Sequence, residues 1–222
     1  MTSPLLDALI GSPILPELIQ EAQRALGKER LLREKFYADI TPEHKWEFIQ
    51  GEVVMHSPAL NRHLMATMGL FGLLAAHVRV GNLGAVYIEK AMTCFPRNDY
   101  EPDIMFFGPA KRALIDPDTL KFPIPDLIVE VLSPSTEHRD RGIKFQDYAL
   151  HGVGEYWIID PVAETVELHR LPEGADAYPA APKQAEGSLH SDVVPGFEIP
   201  VRAIFDEDEN ARSMKAIWSA QS

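Results

Sequence analysis

Two carboxylates stand where apolar side chains would be expected. Asp103 falls in Pro102-Asp103-Ile104-Met105-Phe106-Phe107, and Glu130 falls in Leu127-Ile128-Val129-Glu130-Val131-Leu132. In an extended strand Glu130 shares its face with Ile128 and Leu132. A carboxylate isolated on such a face is costly unless it is protonated, paired or bound to a cation. Each acid therefore answers a Lys or Arg elsewhere in the fold, ends its strand in water, or holds a cation. Carboxylate oxygens are hard ligands suited to magnesium or manganese, and a metal held by them can activate water against a phosphate ester. A lysine follows on the next helix: Asp140, Lys144, Asp147, Tyr148 and His151 form one polar stripe at three- and four-residue steps. An ammonium beside such a metal site can orient water or steady charge on a phosphoryl oxygen. The competing role for Lys144 is a plain salt bridge with Asp140 or Asp147.

The elements that would position these groups follow from periodicity. Residues 126–132 are a near-continuous apolar run, the pattern of a strand covered on both faces. Residues 85–95 and 102–107 are expected as strands joined by the polar turn 96–99. Ser133-Pro134-Ser135-Thr136 signals a helix start, with hydroxyl caps and a helix running to about Leu150, ended by Gly152. Strands are expected at 154–160 and 164–171. Residues 45–56 predict a hairpin turning at Gln50-Gly51, with Glu47 opposite Val54. Trp46, Phe48, Val53 and Met55 then share one face, and Glu47 and Glu52 the other. Residues 61–79 predict a broadly buried helix stopped by Gly81, and 16–37 an amphipathic one. The segment 108–124 reads as a loop or short helix, 172–187 as an exposed loop or β-arm, and 193–205 as a strand-and-turn closure. The whole is a mixed α/β layer.

Several motifs carry a resemblance. They are Pro102-Asp103, the block from Pro125 to Thr136, Asp140-Arg141-Gly142-x-Lys144, and Tyr148 through Gly152-Val153 to Pro161, with Glu47 to Pro58, His63 and Val194-Pro195-Gly196-Phe197. Over roughly residues 40–205 the chain resembles the Uma-type endonucleases, long catalogued as a domain of unknown function within the PD-(D/E)XK superfamily. The resemblance implies a restriction-endonuclease-like mixed sheet flanked by helices, with an added N-terminal helix and β-hairpin. It sets the nuclease domain at 41–205, which leaves a helical extension over 1–40 and a tail over 206–222 that reads as a candidate helix. Asp103 and Glu130 match the motif's acids, and with the carbonyl of Val131 they would hold Mg2+ or Mn2+. The motif's lysine position is Leu132 here, and Lys144 is its counterpart on the next helix. Glu47 would complete the acidic cluster, with Glu52 a weaker choice. His63 and Tyr148 would meet substrate, though a satisfied helix-start histidine explains His63 equally. The implied activity is metal-dependent hydrolysis of DNA phosphodiesters by a homodimer.

Composition bounds these readings. The 222 residues carry a net charge of −12, a field that repels phosphate backbones. This favours two alternatives: a catalytically silent interaction module on the same fold, or a hydrolase of another phosphodiester. The single Cys94 excludes an intramolecular disulfide and closed thiolate zinc sites. The N-terminus lacks a basic leader and no run of 18 apolar residues exists, so a soluble cytoplasmic protein without a membrane partner is expected. His138-Arg139-Asp140 imitates a kinase tripeptide without its companion motifs.

Overall fold

The structure is a computed structural model and describes residues 4–41 and 43–219. Helices α1 (Pro4–Ile10) and α2 (Leu15–Asp39) come first, followed by strands β1 (Trp46–Ile49) and β2 (Glu52–Met55). Gln50 and Gly51 take φ of 50° and 88°, as a two-residue mirror-image turn requires. That turn fixes the expected register, Glu47 opposite Val54 and Phe48 opposite Val53. Phe48 packs with Phe36 of α2 and with Met92. Val53 and Met55 stay exposed because β2 is a sheet edge.

Next come α3 (Asn61–Gly81), β3 (Ala85–Ile88), β4 (Thr93–Cys94), β5 (Asp99–Tyr100) and β6 (Ile104–Phe107). Asn82, at φ 51°, supplies the left-handed cap of α3, so the stop lies one residue beyond the glycine expected to provide it. The strand expected over 85–95 is broken. Glu89 and Lys90 adopt φ of 38° and 42°, which turns the chain out of one sheet and into another. A short α4 (Pro109–Arg112) precedes β7 (Leu127–Val131).

The helix expected from 133–136 to Leu150 is two helices, α5 (Glu137–Asp140) and α6 (Ile143–Leu150). Gly142 lies between them, and a Cβ there would stand 2.6 Å from the His138 carbonyl oxygen, a contact no side chain tolerates. Thr136 makes no side-chain cap; its hydroxyl meets the Ser133 hydroxyl at 2.9 Å instead. The chain closes with β8 (Glu155–Asp160), β9 (Thr165–Arg170), β10 (Lys183–Gln184), β11 (Ser188–His190), β12 (Glu198–Pro200), a 3-10 turn at Val201–Ile204, and α7 (Glu207–Ser219).

A six-stranded sheet, ordered β10-β9-β8-β7-β6-β3, forms the centre, and a four-stranded sheet, β2-β1-β5-β4, faces it across the site. Only β7 and β8 run parallel in the central sheet, joined by the α5–α6 crossover. Helices α3 and α7 cover one face, over Val129, Val131, Trp157 and Ile159. Helix α6 and the smaller sheet cover the other, over Ile128, Met105, Tyr156 and Ile158. Double cover explains the unbroken apolar reading of β7. By length and mean hydropathy (1.4) α3 could cross a membrane. Its Leu70, Leu73, Leu74 and Val78 are instead buried against the sheet and α7.

Candidate active site

Strand register brings the two acids together. Ile104 of β6 lies opposite Val129 of β7 in antiparallel pairing, so one step further Asp103 lies opposite Glu130. Asp103 shares its face with Met105 and Phe107, and Glu130 shares its face with Ile128 and Leu132. All four apolar residues belong to the cluster beneath α6, so both carboxylates point the same way. Asp103 Oδ2 also accepts the Val131 amide at 2.8 Å, which anchors it to the end of β7.

Helix α6 lays Lys144 over this pair. Its Nζ stands 2.9 Å from Glu130 Oε1, 2.9 Å from Glu47 Oε1 and 3.4 Å from Asp140 Oδ1. The pairing with Asp140 expected from helix spacing is thus present, but two acids distant in sequence share the same ammonium. Asp147 is engaged elsewhere: it accepts from Asn98 and from the Tyr100 hydroxyl, each at 2.7 Å, and so ties the small sheet to α6. That tie holds Glu47 against Lys144. The Tyr148 hydroxyl donates to Glu130 Oε1 at 2.9 Å. Tyr148 is fully buried and does not line the cavity, so the substrate contact expected of it is replaced by a hold on Glu130. Glu52 is exposed and absent from the site.

Three further groups complete the arrangement. Lys45 reaches Asp103 Oδ1 at 3.3 Å, and His63 Nε2 lies 3.2 Å from Asp103 Oδ2. His56 Nε2 lies 3.1 Å from Glu47 Oε2. Lys45 and His56 were not singled out from sequence. Lys45 lies two residues before Glu47, so strand alternation alone could have put it on the same side. Asp103 and Glu130 line a cavity of about 690 Å³ together with Lys144, Lys45, His56, His63, Glu101 and Val131, and Glu47 and Asp140 lie behind Lys144, outside that lining.

The electrostatics are those of too many buried acids for the cations facing them. Five buried carboxylates (Glu47, Glu101, Asp103, Glu130, Asp140) face Lys45, Lys144, His56 and His63, while Glu89, Lys90, Arg62 and Arg139 line the cavity around them. Burial raises Glu47, but Lys144 and then His56 outweigh it and hold the carboxyl at about 2. Burial likewise opposes ionisation of Asp103, yet the bonds from His63 and Lys45 keep it well below the usual range. Glu130 goes the other way: burial, reinforced by Asp140, Asp103 and Glu47, lifts it well above its ordinary value despite Lys144. Burial also raises Asp140, and raises Glu101 to about 7. Burial would depress Lys144, but Glu130, Glu47 and Asp140 keep it firmly charged.

Among the described residues no three His, Cys, Asp or Glu side chains group closely enough to hold a metal by themselves. Magnesium does not require such a cage, since it keeps several waters and uses one or two carboxylates together with substrate phosphate. Asp103 and Glu130 supply that pair, Glu130 Oε2 is engaged by neither Lys144 nor Tyr148, and the excess of acids favours added positive charge. The residues fit a hard divalent cation.

A family model described as Uma2, putative restriction endonuclease, matches residues 33–202. The chain belongs to the Uma2 family. A crystal structure of a putative nuclease belonging to DUF820 from Anabaena variabilis ATCC 29413 matches with a TM-score of 0.66 at 17% identity, covering 78% of this chain and 96% of that one. At that identity the likeness is one of fold, and it agrees with the mixed sheet flanked by helices. None of the curated proteins matches. In this Uma2 chain the acids, Lys144 and the cavity all lie within the matched span.

Proposed function

We propose that this Uma2 chain is a divalent-metal-dependent endonuclease that hydrolyses phosphodiester bonds in DNA, acting as a homodimer. The observation that carries the reading is the convergence of Asp103 and Glu130 on one cavity floor with the Lys144 ammonium at 2.9 Å from Glu130. Asp103 and Glu130, with the carbonyl oxygen of Val131, would hold Mg2+ or Mn2+. Bound there, the ion supplies a water of lowered pKa and neutralises charge on the scissile phosphate. The chain's own groups do the rest. The Val131 amide and His63 fix the orientation of Asp103. Tyr148 and Lys144 fix Glu130. Lys45, within the cavity, is placed to steady negative charge developing on a phosphoryl oxygen.

A supercoiled plasmid incubated with magnesium or manganese should be nicked by the wild type. Asp103→Asn and Glu130→Gln should each reduce the rate by at least about a hundredfold, the scale of one lost electrostatic contribution to the transition state. Equal cleavage by all three preparations would refute the assignment. The silent-module reading draws on Asp103, whose two oxygens already accept from Lys45, His63 and Val131. It predicts no metal-dependent cleavage by the wild type.

A further inference from the structure

Six of the twelve arginines, Arg33, Arg97, Arg141, Arg170, Arg202 and Arg212, meet carboxylates. Of the six that do not, Arg24, Arg30, Arg79 and Arg112 lie away from the cavity lining, and two lie on it. Arg62 and Arg139 line the cavity, and neither forms an ion pair with a described residue. Each adjoins a residue of the acid cluster. Arg62 precedes His63, which meets Asp103, and Arg139 precedes Asp140, which meets Lys144. They come from separate elements, α3 and α5. An unpaired guanidinium beside a carboxylate-rich site is a strong, directional phosphate donor.

Exposed apolar side chains line the cavity beside these charged groups. Met55, Leu60 and Val162 line the cavity and remain 70%, 61% and 71% exposed. A duplex turns stacked base edges outward and hides the base faces, whereas a single strand offers faces that apolar side chains can cover. A space of about 690 Å³ suits a drug-sized group such as a nucleotide or two.

We propose that Arg62 and Arg139 form a two-pronged phosphate clamp that seats a single strand of DNA across the mouth of the acid-floored cavity. This rests on the nuclease reading for its purpose but not for its test. The clamp grips phosphates on either side of the one over the floor, and the apolar residues cover the bases between them.

The experiment is fluorescence anisotropy of the full chain with a short labelled single-stranded oligodeoxynucleotide, in EDTA, over a salt series. Each phosphate contact on a single strand contributes about 0.7 to the slope of log affinity against log salt. Arg62→Ala and Arg139→Ala should each flatten the slope by about 0.7, and the double variant by about 1.4. The variants Arg62→Lys and Arg139→Lys keep the charge and should keep the slope, which a purely structural effect would not allow. The single strand should bind more tightly than the matched duplex. Unchanged slopes, tighter duplex binding, or no binding by the wild type would each overturn the clamp. Cleavage is followed in parallel with magnesium: slope loss without any wild-type cleavage sinks the nuclease reading and leaves the clamp, and cleavage with unchanged slopes does the reverse.

Discussion

Replacing Lys144 with Met is the sharpest test of how the site is held. Methionine approximates the length of the stem and removes the ammonium. Lys144 is 2% exposed, and the three acids it serves, Glu47, Glu130 and Asp140, are no more exposed than 6%. Water reaches this cluster only through the cavity and compensates the lost charge incompletely. Removing one partner from a buried ion cluster costs about 3–5 kcal/mol. With a urea m-value of about 2 kcal/mol/M, the unfolding midpoint should fall by about 1.5–2.5 M. The pH dependence carries a second signature. With Lys144 in place burial already holds Glu130 and Asp140 above their ordinary values; without the ammonium they rise further, and Glu47, which it holds low, rises with them. Between the unfolded and the raised folded values the native state holds more protons than the unfolded state, and stability falls as pH rises. Each such proton contributes about 1.4 kcal/mol per pH unit. Lys144→Met should thus lie closest to wild type near pH 5 and furthest from it near pH 8. The assay is urea unfolding followed by tryptophan fluorescence, in EDTA so that no bound cation compensates. A loss under about 1 kcal/mol at pH 8, or a gap that does not change with pH, would refute the claim that one ammonium balances three carboxylates.

Two other outcomes follow. Glu101 has a buried Oε2 with no hydrogen-bond partner, and burial lifts its carboxyl to about 7. Its pKa is raised, so in EDTA stability should fall as pH climbs from the ordinary glutamate range to 7. Glu101→Gln should remove that slope and stabilise the fold at pH 8 by up to about 3 kcal/mol; an unchanged slope in thermal melts would overturn this. The proposed homodimer has a surface in the exposed Leu5, Leu9, Ile10 and Ile14 around α1. Light scattering should read a dimer for the wild type and a monomer for Leu9→Glu/Ile10→Glu, and a wild-type monomer would exclude the assembly.

What could be read from sequence followed the strength of the local rule. The hairpin register was legible because Gln50-Gly51 allows one turn geometry and a slip by one residue would turn Glu47 outward. Strand β7 was legible from its apolar run. The break in the strand expected over 85–95 was not, because Glu89 and Lys90 are not residues that announce positive φ; the Glu89 amide there donates to the Asp103 carbonyl at 3.3 Å, a partner distant in sequence. The split of α5 from α6 had a signal in Gly142, but an isolated glycine does not reveal that a carbonyl crowds it. Lys45 was missed because an exposed-type residue at a strand entrance looks like ordinary surface until Asp103 is placed opposite it.

The position of the lysine shows why motif text and site geometry can part company. Two residues beyond Glu130, on the same strand face, stands Leu132, and it is buried among Ile128, Tyr148 and Ile158. Leu132 also lines the cavity, so at this position the motif's lysine is replaced by an apolar part of the wall. Helix α6 crosses the same face and delivers Lys144 to 2.9 Å from Glu130 from above. The electrostatic requirement concerns where a positive charge stands relative to the acids, and Coulomb energy depends on distance and dielectric, not on chain order. Moving the charge from strand to helix also lets it meet Glu47 and Asp140, which a strand lysine beside Glu130 would reach less readily. The cost is dependence on the α5–α6 junction. Gly142 sits two residues before Lys144, and its close approach to the His138 carbonyl sets where the helix begins, and therefore where the ammonium ends up.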